Sequence, residues 1–313
     1  MRRLSVPTGL PVGNVNVYVE EGQSGVVLVD TGPDTPETRA VLERNLAREG
    51  IRVRDIREIW ITHPHVDHLG LAPFLQAASG ARVMGAPETA QWLRNWNEMW
   101  DGRLEGARGF LGLAGAPERD RVASERSLLH LRALGGPLSG VIPVDDGQVL
   151  SGRRVVRVDG HARGQLAFVG EDDVLTGDHL IRHVSSNPIV EPPGEGGIWP
   201  SMVGVQIRSL KASTTWKGLH GLSGHGRTIE DAGILAEERL LEIGERKRTV
   251  LRLVDGRRTF WEIAEALFPD LSPGDAFLAL SEVAGHLFRL RDEGEVIIGE
   301  TAGQFVPRIR ERA

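Results

Sequence analysis

The chain has no cysteine. That excludes disulfides, thiolate metal ligands and a cysteine nucleophile. Tyrosine occurs once, as Tyr18, and aromatic residues make up only 5% of the chain, although seven of them are tryptophans. No run approaches the ~18 consecutive apolar residues that a membrane-spanning helix needs. Met1-Arg2-Arg3-Leu4 leads directly into strand-like sequence, without the ~7–15-residue apolar core of a secretory signal. The expectation is a soluble cytoplasmic protein that makes no membrane contact. Net charge is −6, so no general affinity for polyanions is implied. What remains is ordinary globular composition, 40% hydrophobic and 26% charged over 313 residues. That length suits one large domain plus a small one.

Against that background one stretch stands out: Ile61-Thr62-His63-Pro64-His65-Val66-Asp67-His68-Leu69-Gly70. Three of the chain's ten histidines and an aspartate fall within six positions, in the pattern H-x-H-x-D-H. The apolar Ile59-Trp60-Ile61 before them reads as the end of a buried strand. Ligands placed where a strand stops have backbone free to wrap an ion. His63 and His65, two apart, can converge on one ion; Asp67 and His68 point to a second position. Imidazole with carboxylate and no thiolate suits zinc, with manganese or iron as alternatives.

The flanking sequence reads as α/β. Val15, Val17 and Val19 alternate with Asn16 and Tyr18 as a period-two strand. Glu21 to Gly25 is a turn. Val26-Val27-Leu28-Val29 is a buried strand that ends in Asp30-Thr31-Gly32. Thr35-Pro36 starts a helix running to about Arg48. Residues 51–61 read as strand, turn and strand into the ligand cluster. This strand–helix–strand order implies a layered α/β core. In 87–140, Trp92, Trp96 and Trp100 recur every four residues, one apolar stripe if the segment is helical. The segment is expected to be a helical insertion or lid, its tryptophans packed on the core or lining an apolar substrate pocket. Strands resume from Val141; Leu166–Val169 and Val174–Thr176 form a hairpin leading to Asp178. Residues 183–200 are a Ser-, Pro- and Gly-rich loop, and His179 and His183 at its start are candidate substrate contacts.

The pattern Thr-His-x-His-x-Asp-His-x-Gly resembles the signature of the metallo-beta-lactamase fold superfamily. The family's later parts follow in order: Gly160-His161-Ala162-Arg163-Gly164, Val174-Leu175-Thr176-Gly177-Asp178 and Ser223-Gly224-His225-Gly226. The resemblance covers about the first 230 residues. It implies a four-layer αβ/βα sandwich over 1–229, with His63, His65 and His161 on one metal, Asp67, His68 and His225 on the other, and Asp178 bridging. It also implies that Asp30 supports the ligands without touching metal. The implied activity is hydrolysis by a metal-bridging hydroxide, oriented by Asp67. Ala162-Arg163 and Ser223 depart from the family's usual Thr-Pro and Pro, but neither change removes a ligand. The sole tyrosine lies in the first strand, which counts against the lactonase branch.

Residues 230–313 read as a linker helix, two further helices and a hairpin, the outline of a winged helix. Beta-lactamase-like protein 2, a ribonuclease of that family, carries such a module. Here the module holds 12 Lys and Arg against 17 Asp and Glu, and its would-be recognition helix has only Arg289 and Arg291 near its end. A nucleic-acid binder shows a basic stripe; an acidic module suits packing or a homodimer contact. A small ester, thioester or lactone therefore ranks above single-stranded RNA as substrate, with iron-dependent sulfur dioxygenation as a minor alternative.

Overall fold

The computed structural model describes residues 1–22 and 25–311; the turn positions Gln23 and Ser24 lie outside them. The chain packs as two compact units. The first gathers Met1–Met99, Leu131–Ser186 and Ala212–Ala236. The second gathers Trp100–His130, Asn187–Lys211 and the chain from Glu237 onward. It thus takes in part of the 87–140 segment and part of the stretch after Asp178, besides the C-terminal module.

The first half of the chain runs β1 (Arg2–Val6), β2 (Val15–Gly22), β3 (Gly25–Val29), α1 (Pro36–Arg48), β4 (Ile56–Trp60), α2 (Val66–Leu69), α3 (Ala72–Ser79), β5 (Arg82–Gly85) and α4 (Pro87–Arg94). Then come α5 (Trp96–Leu113), α6 (Glu118–Arg132) and β6 (Ile142–Pro143). The second half runs β7 (Val149–Leu150), β8 (Arg153–Arg157), β9 (Leu166–Val169), β10 (Asp173–Gly177), α7 (Met202–Ser213), β11 (His220–Ser223), α8 (Ala232–Leu253), α9 (Phe260–Leu267), α10 (Ala276–Asp292), β12 (Val296–Thr301) and β13 (Gln304–Ile309).

Strands β1 to β6 form one sheet in sequence order, and β11-β10-β9-β8-β7 a second. In the first, β1–β2–β3 is an antiparallel meander and β3 through β6 run parallel. In the second, β10 and β11 are parallel and the remaining pairs antiparallel. The sheets share a core: Tyr18, Val27, Val29, Trp60 and Met84 from one meet Val155, Leu166, Phe168 and Leu175 from the other. The Trp60 and Phe168 rings stand 5.2 Å apart, centroid to centroid, within the range of favourable aromatic pairs. Helix α1 packs on β1, and α3 on β4 and β5. Strand β2 is buried on both faces over its first five residues. That is why Asn16 and Tyr18 are buried beside the valines with which they alternate; both donate to the Ser223 carbonyl at the end of β11.

Two local expectations change. Residues 51–55 are not a strand. Val53–Asp55 is a 3-10 turn, closed by the Asp55 carboxylate, which accepts from Arg52 N at 2.9 Å; a local side-chain acceptor here outcompetes a ladder. The tryptophan stripe does not run along one helix either. Asn95 caps α4, so Trp92 closes one helix while Trp96 opens α5. All three tryptophans are buried.

The second unit has an aromatic core. The rings of Trp199 and Phe288 stack at 6.1 Å, and Phe260 and Phe305 pack at 5.2 Å. Thr259 caps α9 in a reciprocal box with Glu262. The β12–β13 hairpin turns through Ala302 and Gly303, both at positive φ, the backbone a tight two-residue turn needs. His286 on α10 is buried. Burial holds its pKa down to about 3, reinforced by Arg246, Arg289 and Lys247. The unfolded chain titrates this group near pH ~6.5, so its contribution to stability is complete above that pH and declines as pH falls below it. Wild-type protein is expected to lose about 2 kcal/mol more stability than His286→Gln between pH 7 and pH 5, taking ~1.4 kcal/mol per pH unit. Urea midpoints at the two pH values check this; parallel losses would refute it.

Candidate metal centre

The candidate residues arrive at one end of the two sheets. Asp30 follows β3, His63 follows β4, Asp178 follows β10 and His225 follows β11. Because β3 runs parallel to β4 and β10 to β11, their C-terminal ends lie side by side, the edge where α/β sheets place ligands. His65 is the N-cap of α2, and Asp67 and His68 lie in its single turn. His161 comes from the loop joining β8 to β9.

All seven predicted ligands converge. Their donor atoms form three groups within which every pair lies inside 4.8 Å: His63, His65 and His161; His63, His68 and Asp178; Asp67, His68 and His225. His65 Nδ1 stands 3.0 Å from His63 Nε2 and 2.9 Å from His161 Nε2. Asp67 Oδ2 lies 3.3 Å from His225 Nε2. Asp178 reaches both sides: Oδ1 is 3.4 Å from His68 Nε2, while Oδ2 is 3.5 Å from His225 Nε2 and 3.8 Å from His161 Nε2.

The outer nitrogens assign the tautomers. His68 Nδ1 lies 2.7 Å from Asp30 Oδ2, and His225 Nδ1 lies 2.9 Å from the Asn14 carbonyl. Both partners only accept, so both Nδ1 atoms carry the proton. Thr62 Oγ1 donates to Asp30 Oδ2 at 2.8 Å; it must therefore accept from His63 Nδ1, 3.0 Å away. Three imidazoles thus turn Nε2 lone pairs inward, each oriented by an outer partner as metal ligands are. Asp30 is itself held at φ 60°, a costly conformation for a non-glycine residue. Its Oδ1 accepts from Thr62 N at 2.8 Å.

The interior asks for positive charge. Burial pulls the His68 pKa down, yet the Asp178, Asp30 and Asp67 carboxylates carry it well above its ordinary value. For His225 too burial opposes and Asp178 and Asp67 prevail, raising it. Burial pushes Asp67 up, but His68 and His225 hold it down to about 2. Burial, then His68 and His65, lowers His63. His68 Nε2, His225 Nε2 and Asp178 Oδ1 are buried without a hydrogen-bond partner. Inward lone pairs, two carboxylates and unmatched acceptors fit divalent cations and fit little else.

The supports come from far away in sequence. Tyr18 Oη donates to the Ser223 carbonyl at 2.8 Å, and Asn16 Nδ2 donates to Ser223 and Gly226 carbonyls at 2.9 and 3.0 Å. The lone tyrosine thus braces the His225 loop. With its oxygen facing the main chain, the Gln165 amide accepts from His179 N at 2.6 Å and Asp178 N at 3.1 Å. Of these supports only Asp30 carried a sequence signal, its Asp-Thr-Gly turn.

The candidate substrate residues are dispersed. His179 is buried, with Nε2 2.8 Å from Ser213 Oγ; burial, then His161, lowers its pKa to about 3. His183 is exposed, and its ring lies against Gly226, next to His225. Trp96 packs against Gly135, which also abuts Gly70 just beyond α2. Trp92 and Trp96 belong to the unit that holds the cluster and Trp100 to the other.

Asp30→Asn tests the outer layer. Its amide oxygen can stand at only one of the two carboxylate positions, so either Thr62 N or His68 Nδ1 meets an NH2 donor instead of an acceptor and the frame that orients His68 is broken. Metal affinity is expected to fall about 10–100-fold, typical for loss of an outer partner. Chelator competition measures this, and undiminished affinity would count against the tautomer assignment.

A two-sheet α/β sandwich with a His/Asp cluster at its strand ends defines a metal-site protein of one class, and the chain belongs to the metallo-beta-lactamase superfamily, whose family model matches residues 10–213. Its relatives span nearly its whole length. It is 31% identical to the crystal structure of a metallo-beta-lactamase family protein, TTHA1429, from Thermus thermophilus, covering 99% of this chain and 98% of that one with a TM-score of 0.83. It is 28% identical over 296 residues to the "Probable metallo-hydrolase YqjP" of Bacillus subtilis (strain 168), covering 93% of this chain and 92% of the relative. A beta-lactamase domain protein from Burkholderia ambifaria shares the fold at 19% identity, with a TM-score of 0.83 over 99% of this chain and 92% of that one. Among the described residues no helix is long and apolar enough to cross a membrane.

Proposed function

We propose that the chain is a dinuclear, zinc-dependent hydrolase acting on a small ester, thioester or lactone. The convergence of seven His and Asp residues, three of the imidazoles with their Nε2 lone pairs turned inward, carries this reading. The printed name of the Bacillus relative, a probable metallo-hydrolase, agrees with it. His63, His65 and His161 would hold one ion and Asp67, His68 and His225 the other; the two-sided reach of Asp178 supports a bridging role. Bound there, divalent metal supplies Lewis acidity, polarising a carbonyl oxygen and acidifying water.

The chain's own groups do the rest. Asp67 Oδ2 lies 3.3 Å from His225 Nε2, and its carboxylate, kept ionised, can accept a hydrogen bond from the attacking water and so orient it. Asp30, Thr62 and the Asn14 carbonyl fix the imidazoles so that no reorientation is needed during turnover. Burial of His63, His68 and His225 keeps bulk water away from the ligand atoms. Trp92 and Trp96 stand in this proposal as an apolar wall, and His179 and His183 as polar contacts. Residues 230–313 stand in it as a winged-helix-like module that serves packing or a homodimer contact in a cytoplasmic enzyme; helices α8 to α10 followed by the β12–β13 hairpin support that outline.

The test is metal analysis of purified protein, followed by turnover of acyl thioesters, esters, lactones and single-stranded RNA on one metal-loaded preparation. Two equivalents of zinc with turnover of a small acyl substrate is the expected result. Robust RNA cleavage with no small-ester turnover would replace the substrate reading and leave the metal reading standing. Trp96→Ala is expected to raise KM for long acyl groups more than for acetyl; reduced stability with unchanged KM would remove Trp96 from the pocket.

A further inference from the structure

His161 reaches the cluster from a loop rather than from a strand end. Strand β8 stops at Arg157 and β9 begins at Leu166. The residues between include Gly160 at φ 147° and Gly164 at φ 73°, and no proline. Such backbone has wide conformational freedom unless something else restrains it.

A frame of charged side chains supplies the restraint. Asp159 ties the loop at two points: Oδ1 accepts from Gly164 N at 2.8 Å, and Oδ2 accepts from Arg157 Nε at 2.8 Å. Arg157 also donates to Glu88 on α4 and to Asp145 Oδ1, the latter at 3.3 Å. Its main-chain N donates to Asp146 Oδ1 at 3.0 Å. Glu88 lies directly against the loop, since a Cβ added at Gly164 would come within 2.8 Å of Glu88 Cβ. One guanidinium therefore links α4, the 145–146 turn and the His161 loop. A planar fork can satisfy several carboxylates at once, which a lysine ammonium cannot do with the same geometry.

We propose that Arg157 is a positioning residue for metal binding: through Asp159 and Glu88 it holds His161 where its Nε2 joins His63 and His65, and so sets the affinity of that three-histidine position. This rests on the metal-binding reading above. Charge and geometry make opposite demands here, which makes the proposal decidable. Removing Arg157 leaves Glu88, Asp145 and Asp159 without their shared cation, so Coulomb attraction alone would tighten binding of Zn2+. Loss of the frame would weaken it.

The experiment is a double-mutant cycle read by Zn2+ affinity, measured in competition with a chromophoric chelator. Wild type, Arg157→Met, His161→Ala and the double variant are compared, with circular dichroism confirming that each is folded. Arg157→Met is expected to weaken one equivalent of zinc about 10–100-fold, as loss of an orienting partner does. In the His161→Ala background the same substitution is expected to cost little further, because residues that act through one another are not additive. Arg157→Lys should recover only part of the loss. Affinity that is unchanged or tighter in Arg157→Met overturns the proposal, as does a penalty of the same size without His161. Should Arg157→Met fail to fold, Asp159→Ala takes its place in the same cycle. A wild-type protein that takes up no zinc sinks the metal reading itself. A wild type that binds zinc, with an Arg157 penalty independent of His161, sinks only the positioning role.

Discussion

Asp67→Ala is expected to lower turnover by about 10²-fold or more, the usual scale for removing a positioned catalytic group. The substitution takes away a ligand atom and the carboxylate available to the attacking water together. It also leaves His225 Nε2 facing Asp178 alone on that side of the cluster. The fold should persist, because Asp67 lies in the single turn of α2, whose Val66 and Leu69 remain buried. Steady-state kinetics on metal-loaded protein, with metal content measured alongside, decides the matter. Turnover within a few-fold of wild type would show that the attacking water is not held by this carboxylate.

Gly224→Ala should be nearly as damaging, although it adds one methyl group to a residue that binds nothing. A Cβ at Gly224 would run into the Asp178 carboxylate and come within 2.6 Å of His68 Cε1. The main chain there is anchored on both sides: Gly224 N donates to Gly177 O at 2.8 Å and Gly224 O accepts from Asn16 N at 2.6 Å. Neither neighbour can yield without moving a ligand. Overpacking of this kind costs about 1–3 kcal/mol, and here the displacement falls on Asp178 and His68. Zinc content should fall, and turnover should drop about 10²-fold, in line with the loss of a positioned group. A variant with two equivalents of zinc and normal turnover would show that the site has slack the packing does not display.

The cluster His63 to His68 was legible because its candidate ligands are local. Six positions at the end of an apolar strand can be read without any tertiary contact. The outlying candidate ligands, His161, Asp178 and His225, were legible only through resemblance to a family motif, since nothing in their own surroundings says which strand ends meet. Several elements were legible for the same local reason: Thr35-Pro36 starts α1, Thr259 caps α9, and the 166–177 hairpin turns where polar residues cluster. The 51–55 stretch misled because its apolar residues look strand-like, while the Asp55–Arg52 contact that closes it has no periodic signature. The tryptophan spacing misled over continuity, because a four-residue recurrence does not reveal the break at Asn95.

By itself, then, the sequence determined most element types, the absence of thiolate chemistry and the candidate ligands within 63–68, because strand patterning, composition and motif spacing are properties of neighbouring residues. Only the tertiary structure decided which nitrogen each histidine presents and what holds it there. Asp30 reaches His68 across 38 positions, Tyr18 reaches Ser223 across 205, and Arg157 reaches Glu88 across 69. A hydrogen-bond acceptor that far away in the chain leaves no trace in local sequence. Yet it settles where the proton sits, and so which lone pair faces the metal position.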